Sequence, residues 1–156
     1  MTIHTGGCQC GAVRFRTEID PAKASICHCR MCQKAFGNFY APLVNARPQT
    51  LVWTKREPKH FQSSNKVRRG FCEDCGTPLT YEAPDGVALA IGAFDDPAAI
   101  PPLVQYGVEA RLPYVDGLAG LPSTRSEEEL EAAAFLRDLV SYQHPDRPDD
   151  DEAASP

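Results

Sequence analysis

Seven cysteines fall into three short groups along the chain: Cys8-Gln9-Cys10, Cys27-His28-Cys29-Arg30-Met31-Cys32 and Cys72-Glu73-Asp74-Cys75. An odd number cannot all pair as disulfides, and free buried cysteines have no reason to cluster at spacings of one and two residues. Thiolate ligands to a metal ion do have such a reason. Two of the groups run directly into glycine, at Gly11 and Gly76. Glycine there relaxes a tight turn that aims backbone N–H groups at the sulfurs. The middle group runs into Gln33 and has no such glycine. The pairing that follows is Cys8 and Cys10 with Cys72 and Cys75 as a closed four-sulfur site. Cys27, Cys29 and Cys32 are left as a three-sulfur site.

Joining Cys10 to Cys72 closes a long loop, at a length-dependent cost of roughly 4 kcal/mol. A structural zinc site supplies about 10–16 kcal/mol of apparent binding free energy, so metal binding outweighs loop closure. Four thiolates complete a tetrahedron and leave no place for substrate, so this site braces the fold. Three thiolates leave the fourth position open, the arrangement of catalytic zinc. Three negative ligands also make zinc a weaker Lewis acid than three imidazoles would. Such a site is suited to keep an incoming thiol deprotonated and present it as a nucleophile. Iron is an alternative ion for the quartet, although C-x-C with C-x-x-C departs from the common cluster spacings. For the trio, His28 or His60 could close the site as a fourth ligand, or Cys29 and Cys32 could form a redox C-x-x-C. Arg30, Lys34, Arg68 and Arg69 are the cations near enough in sequence to offset the thiolate charge.

The elements that must position these cysteines are mostly strands. Over 12–19, Val13, Phe15, Thr17 and Ile19 alternate with Arg14, Arg16 and Glu18, the pattern of a half-buried strand. Further strands are predicted over 38–44, 50–53, 60–64, 67–72, 79–82, 87–91 and 104–108. Turn-forming pairs rich in proline, aspartate and glycine separate them. A short helix is predicted over 30–36, stopped by Gly37. Ser126 and Glu129 have capping-box spacing, and Leu130, Ala133, Leu136 and Val140 predict a helix over 127–143 with one apolar face. From His144 onward the composition cannot form a core. The expected organisation is a zinc-binding β domain over 1–122, a helical extension over 123–143 and a disordered acidic tail over 144–156.

With 156 residues, 42% hydrophobic and 24% charged, the chain has ordinary globular composition. A net charge of −5 argues against a nucleic-acid partner held through its phosphates. No apolar run is long enough to span a membrane and the N-terminus has no signal-peptide pattern. The expectation is a cytoplasmic, reducing setting in which stable disulfides are rare.

The run Gly6-Gly7-Cys8-Gln9-Cys10-Gly11-Ala12-Val13-Arg14-Phe15 resembles the opening of the glutathione-dependent formaldehyde-activating enzyme family. Cys27-His28-Cys29-Arg30-Met31-Cys32-Gln33-Lys34-Ala35 resembles its second motif. Ser63-Ser64, followed by Arg68-Arg69-Gly70-Phe71-Cys72-Glu73-Asp74-Cys75-Gly76-Thr77-Pro78-Leu79, resembles its third, and Ile91-Gly92-Ala93-Phe94-Asp95-Asp96-Pro97 fits as well. The resemblance spans about 5–115. It implies a mainly β, β-tent fold similar to methionine-R-sulfoxide reductases, with antiparallel sheets braced by zinc. It also implies one zinc on Cys8, Cys10, Cys72 and Cys75 and another on Cys27, Cys29 and Cys32, in agreement with the glycine-based partition. The activity implied is addition of glutathione to formaldehyde, classed in reverse as a carbon–sulfur lyase. Family members often carry His-Ile-Trp where Gln105-Tyr106-Gly107-Val108-Glu109 stands here, so that wall of the site differs.

Two functional expectations follow. The first is an enzyme in which a small thiol at the Cys27/Cys29/Cys32 zinc attacks a small carbonyl. Ser64 and Arg69 are the candidate substrate-binding residues, and Phe36, Phe39 and Tyr40 candidate pocket walls. The second is a non-catalytic, zinc-braced β module that binds a protein through the C-terminal helix or the acidic tail. A homo-oligomer is compatible with either.

Overall fold

The alternation of Val13, Phe15, Thr17 and Ile19 buries all four side chains, and the strand they define anchors the smaller of two sheets. The computed structural model describes residues 2–130 and 132–149. In chain order its strands are β1 (His4–Gly7), β2 (Arg14–Thr17), β3 (Ser25–Cys27), β4 (Ala41–Asn45), β5 (Val52–Trp53), β6 (Lys59–Gln62), β7 (Arg68–Phe71), β8 (Pro78–Ala83), β9 (Gly86–Ala90) and β10 (Val104–Tyr106). One α-helix, α1 (Arg30–Phe36), follows β3. The small sheet has the order β1-β2-β5 and the large one β10-β3-β4-β9-β8-β7-β6. The architecture is therefore mainly β, as expected, and cysteine-rich turns sit at the ends of its strands.

All strand pairs are antiparallel except β10 with β3, which run parallel with Tyr106 opposite Cys27. A parallel neighbour cannot be joined by a tight hairpin, and β10 reaches β3 only after the rest of the large sheet has been laid down. The main core lies between the sheets, where Phe15 packs edge-to-face on Phe94 and Trp53, among Val13, Val44, Leu79, Leu89 and Ile100. A second, smaller cluster of Cys32, Ala41, Leu43 and Ala88 sits where α1 meets β4 and β9.

Arg14 breaks the in–out pattern of β2, since it is only 2% exposed. It forms a bidentate pair with Asp95 at 2.8 and 2.7 Å, and Thr5 donates to the same carboxylate at 2.6 Å. Burial works against ionising Asp95, but these donors and the Arg14 charge hold its carboxyl below the usual range.

The C-terminal segment corrects two expectations. Instead of one helix over 127–143, the described residues form two 3-10 turns, Ser126–Glu129 and Ala134–Asp138. The apolar face meant to pack is left outside, with Phe135 70%, Leu139 61% and Val140 71% exposed. A helix that buries no face has only propensity to hold it, which is marginal at this length. The carboxylate predicted to cap the start is Glu128 rather than Glu129, accepting from Arg125 N–H at 3.1 Å. The stretch over 144–149, expected to be disordered tail, lies against the domain. His144 N–H donates to Gln9 O at 2.7 Å, Arg14 donates to Arg147 O at 3.1 Å, and Lys55 pairs with Asp149 at 2.8 Å. The remainder of the predicted tail, 150–156, lies outside the described residues.

Candidate metal centres

The β1–β2 turn and the β7–β8 turn bring Cys8, Cys10, Cys72 and Cys75 together, with all four sulfurs within 4.8 Å of one another. Sulfur–sulfur separations are 3.6 Å for Cys8–Cys10 and 3.8 Å for Cys10–Cys72. A tetrahedron with metal–sulfur bonds of about 2.3 Å has edges of about 3.8 Å, so the quartet fits such an ion. The turns close as their glycines predict: Gly11 and Gly76 adopt φ of 77° and 78°, donating to Cys8 O at 3.0 Å and Cys72 O at 2.8 Å. Left-handed backbone is costly for any residue with a Cβ. Val13 N–H donates to Cys8 Sγ at 3.2 Å, the sulfur-directed amide that such a turn supplies.

Cys27, Cys29 and Cys32 form the second group, again with sulfurs within 4.8 Å. Cys27 ends β3, Cys29 caps α1 and Cys32 occupies its first turn. The loop between them is pinned from two sides. His28 N–H donates to Tyr106 O of β10 at 2.8 Å, while buried Gln33 donates its side-chain amide to His28 O at 2.7 Å and Ala110 O at 3.0 Å. Gly107 packs against the backbone of Cys29, leaving no room there for a side chain. Among the described residues no fourth metal-type ligand joins the trio. His28 is fully buried, with Nε2 against Gln105 Oε1 at 2.8 Å, and His60 pairs with Glu82 at 2.7 Å. No disulfide links Cys29 to Cys32, and all seven cysteines are free.

Burial pushes the Cys32 thiol up to about 12, against a hydrogen bond and positive charge from Arg69. Burial likewise pushes Cys8 up to about 12. Cys29 moves the other way: burial opposes it, but donation from Cys32 N–H and its sulfur neighbours, together with Arg69, outweighs burial and lowers it. Both clusters pack their sulfurs at ligand distances. That donor set suits a thiophilic divalent ion, which deprotonates the thiols it binds.

The trio differs from the quartet in what surrounds it. Cys27, Cys29 and Cys32 line a cavity of about 440 Å³, walled by Leu43, Tyr81, Ala88 and Tyr106 and reached by Arg69. Of the cations expected to offset the thiolates, only Arg69 bonds to a sulfur among the described residues, donating to Cys32 Sγ at 3.4 Å. Arg68 pairs with Glu82 at 2.6 Å, Arg30 donates to Gln33 at 3.2 Å, and Lys34 lines the groove that Arg30 and Arg69 also line. Ser64 is not at the cavity; its hydroxyl accepts from Lys66 and Val67 N–H in the β6–β7 turn. Its neighbour Ser63 instead accepts from Arg69 Nε at 3.0 Å. Phe36 packs into the core, Phe39 meets Tyr114 edge-to-face and Tyr40 meets His28 in the same way, and none of the three walls this cavity. Tyr81 and Tyr106 do wall it; Tyr81 was missed, whereas Tyr106 belongs to the run expected to form a wall of the site. Tyr81 sits directly opposite Arg69 in the β7–β8 register, and the parallel β3–β10 pairing sets Tyr106 opposite Cys27.

No helix among the described residues is long and apolar enough to cross a membrane. The fold is similar to a crystal structure of a Rhodobacter sphaeroides protein, with a TM-score of 0.54 at 21% identity over 65% of this chain and 98% of that one. An uncharacterised lyase of Schizosaccharomyces pombe is 30% identical over 87 residues, covering 55% of this chain and 62% of that protein. This chain thus spans under two thirds of the length of that relative. Residues 3–109 match the family described as glutathione-dependent formaldehyde-activating enzyme, a stretch holding both cysteine clusters and every strand. The chain belongs to the glutathione-dependent formaldehyde-activating enzyme family.

Proposed function

We propose that this chain is an enzyme of the carbon–sulfur lyase type. It joins a small thiol, glutathione or a relative of it, to the carbonyl carbon of formaldehyde or another small aldehyde, or runs the reverse cleavage. The observation that carries this reading is the contrast in access: three sulfurs line a cavity of about 440 Å³, a size suited to a small ligand. Cys27, Cys29 and Cys32 would hold a zinc ion and leave one coordination position uncovered, while Cys8, Cys10, Cys72 and Cys75 would hold a second, structural ion. When bound, the ion supplies deprotonation of an incoming thiol at neutral pH.

The chain's own residues account for the rest. Gln33 and the β10 backbone fix the loop that carries Cys27 and Cys29, so the sulfurs need not reorganise when a ligand arrives. Leu43, Ala88, Tyr81 and Tyr106 give the cavity apolar and aromatic walls that limit water around the reacting sulfur. Seven cysteines without a disulfide and a thiol substrate support a reducing setting such as the cytoplasm.

The test is direct. Zinc-loaded protein is mixed with glutathione and ¹³C-formaldehyde, and formation of the S-hydroxymethyl adduct is followed by NMR above the uncatalysed rate. The same assay on Cys29→Ser, with zinc content measured, should show one ion lost, the fold kept and at least a 100-fold fall in rate. Acceleration by neither this pair nor a panel of other small thiols and aldehydes would overturn the reading.

A further inference from the structure

Arg69 sits on β7 with 6% of its surface exposed, and its guanidinium is engaged on every side but one. Nε donates to Ser63 Oγ at 3.0 Å, Nη2 donates to Cys32 Sγ at 3.4 Å, and the group lies over the Tyr81 ring at 5.1 Å. Nη1 is buried and makes no hydrogen bond. A guanidinium is charged at all accessible pH and cannot relieve the deficit by losing a proton. A buried charged donor without an acceptor is costly to keep, and a ligand that brings an oxygen removes the cost.

The surroundings say which kind of ligand. Arg69 lines the cavity shared by Cys27, Cys29 and Cys32, and also lines an adjoining groove beside Arg30 and Lys34. None of these three cations pairs with a carboxylate among the described residues, although the chain as a whole carries a charge of −5. Three thiolates around a divalent ion leave one net negative charge, which Arg69 balances. Chemistry that generates a further negative charge in the cavity needs a donor aimed at it.

Resting on the thiol–carbonyl reading above, we propose that Arg69 is a catalytic residue whose Nη1 binds the oxygen of the carbonyl substrate and stabilises the alkoxide formed on addition. The thiolate sulfur forms a bond to the carbonyl carbon, and the C=O π electron pair moves onto the oxygen held by Arg69. A proton from solvent then gives the hydroxyl, matching the proton the thiol released earlier. In the reverse direction the same donor holds the oxygen as the carbon–sulfur bond breaks. Removing one donor of this type lowers kcat by roughly 100- to 1,000-fold.

The test compares Arg69→Met with Arg69→Lys. Lysine keeps a positive charge beside the thiolates but lacks the fork, so a residue that only neutralises charge would tolerate it. The expected result is that both variants keep two zinc ions per chain, a wild-type melting point and a KM for the thiol within about threefold of wild type. Both should lose about 100-fold or more in kcat. Formate, a one-carbon oxyanion, should bind the zinc-loaded wild type by calorimetry in the absence of thiol and bind neither variant. If Arg69→Met fails to fold, Arg69→Lys carries the comparison alone. Wild-type kcat in Arg69→Lys would overturn the proposal, as would loss of the trio's zinc in step with activity, since either makes Arg69 a support for Cys32 alone. A wild type that binds formate through Arg69 yet turns over no thiol–carbonyl pair would sink the assigned reaction and leave Arg69 as an oxygen-binding donor.

Discussion

The two cysteine clusters use the same ligand chemistry in opposite settings. The quartet is woven into the main core through buried Cys8 and Cys72, and its sulfurs are met by backbone and hydroxyl donors. The trio sits at the edge of a separate small core, faces a cavity and is met by a guanidinium. Cys75 illustrates the first setting: burial opposes it, but Thr77 Oγ1, Thr77 N–H and Cys10 N–H bring its thiol down to about 6. Neutral dipoles of this kind fix sulfurs in place. The trio combines the larger cavity, about 440 Å³ against about 220 Å³ beside Cys8, with a guanidinium bonded directly to one of its sulfurs. The contrast in surroundings, beside the ligand count, is what supports the two proposed roles.

The largest effect should come from breaking the quartet. Cys72→Ser removes a fully buried ligand and with it most of the roughly 10–16 kcal/mol a structural ion contributes. The expected outcome is loss of the cooperative melting transition by circular dichroism at room temperature. A folded variant with an unchanged melting point would erase the distinction between staple and reaction centre.

A second effect concerns the ion pair beside the quartet. Arg14→Met leaves Asp95, itself largely buried, without its partner, at a cost of about 3–5 kcal/mol measurable by urea denaturation. The pH dependence carries the sign. Asp95 is held below its usual range in the folded chain, so its contribution is present above the ordinary aspartate value and is lost as pH falls through the lowered one. Wild type should lose stability on acidification below about pH 4 more steeply than Arg14→Met does. Parallel acid-denaturation curves would remove the pair from the account.

Much of this was readable beforehand. The partition of cysteines followed from Gly11 and Gly76, and the structure groups the same four and the same three sulfurs. Strand patterns and turn residues located β2 and β4 to β10 to within a few residues. Of these, β2, β4, β7, β8 and β9 carry buried residues, while β5, β6 and β10 are marked by residue type and flanking turns alone. What escaped was non-local. β1, with two glycines, and β3, three residues long, carry too little side-chain pattern to register. The helix expected over 127–143 failed because its apolar stripe has no surface to meet. Ser64 was singled out where Ser63 does the bonding, a one-residue error that flips the face of a strand-end residue.

The smallest effect should come from the C-terminal strap. Ending the chain after Gln143 deletes the contacts of His144, Arg147 and Asp149 with Gln9, Arg14 and Lys55, on the quartet's side of the molecule. These bonds are partly exposed and ordering the segment opposes them, so a loss of about 1 kcal/mol is expected, with the trio's reaction rate unchanged. A changed rate would couple the two regions that the structure keeps apart.

The most direct measurement is stepwise chelation of zinc-loaded protein, with released zinc, rate of thiol–carbonyl addition and circular dichroism followed together. One ion should leave first, abolishing activity while the β signal persists, and the second should leave only as the fold melts. Release of both ions in one step coincident with unfolding, or activity that survives loss of the first ion, would contradict the division of labour between the two clusters.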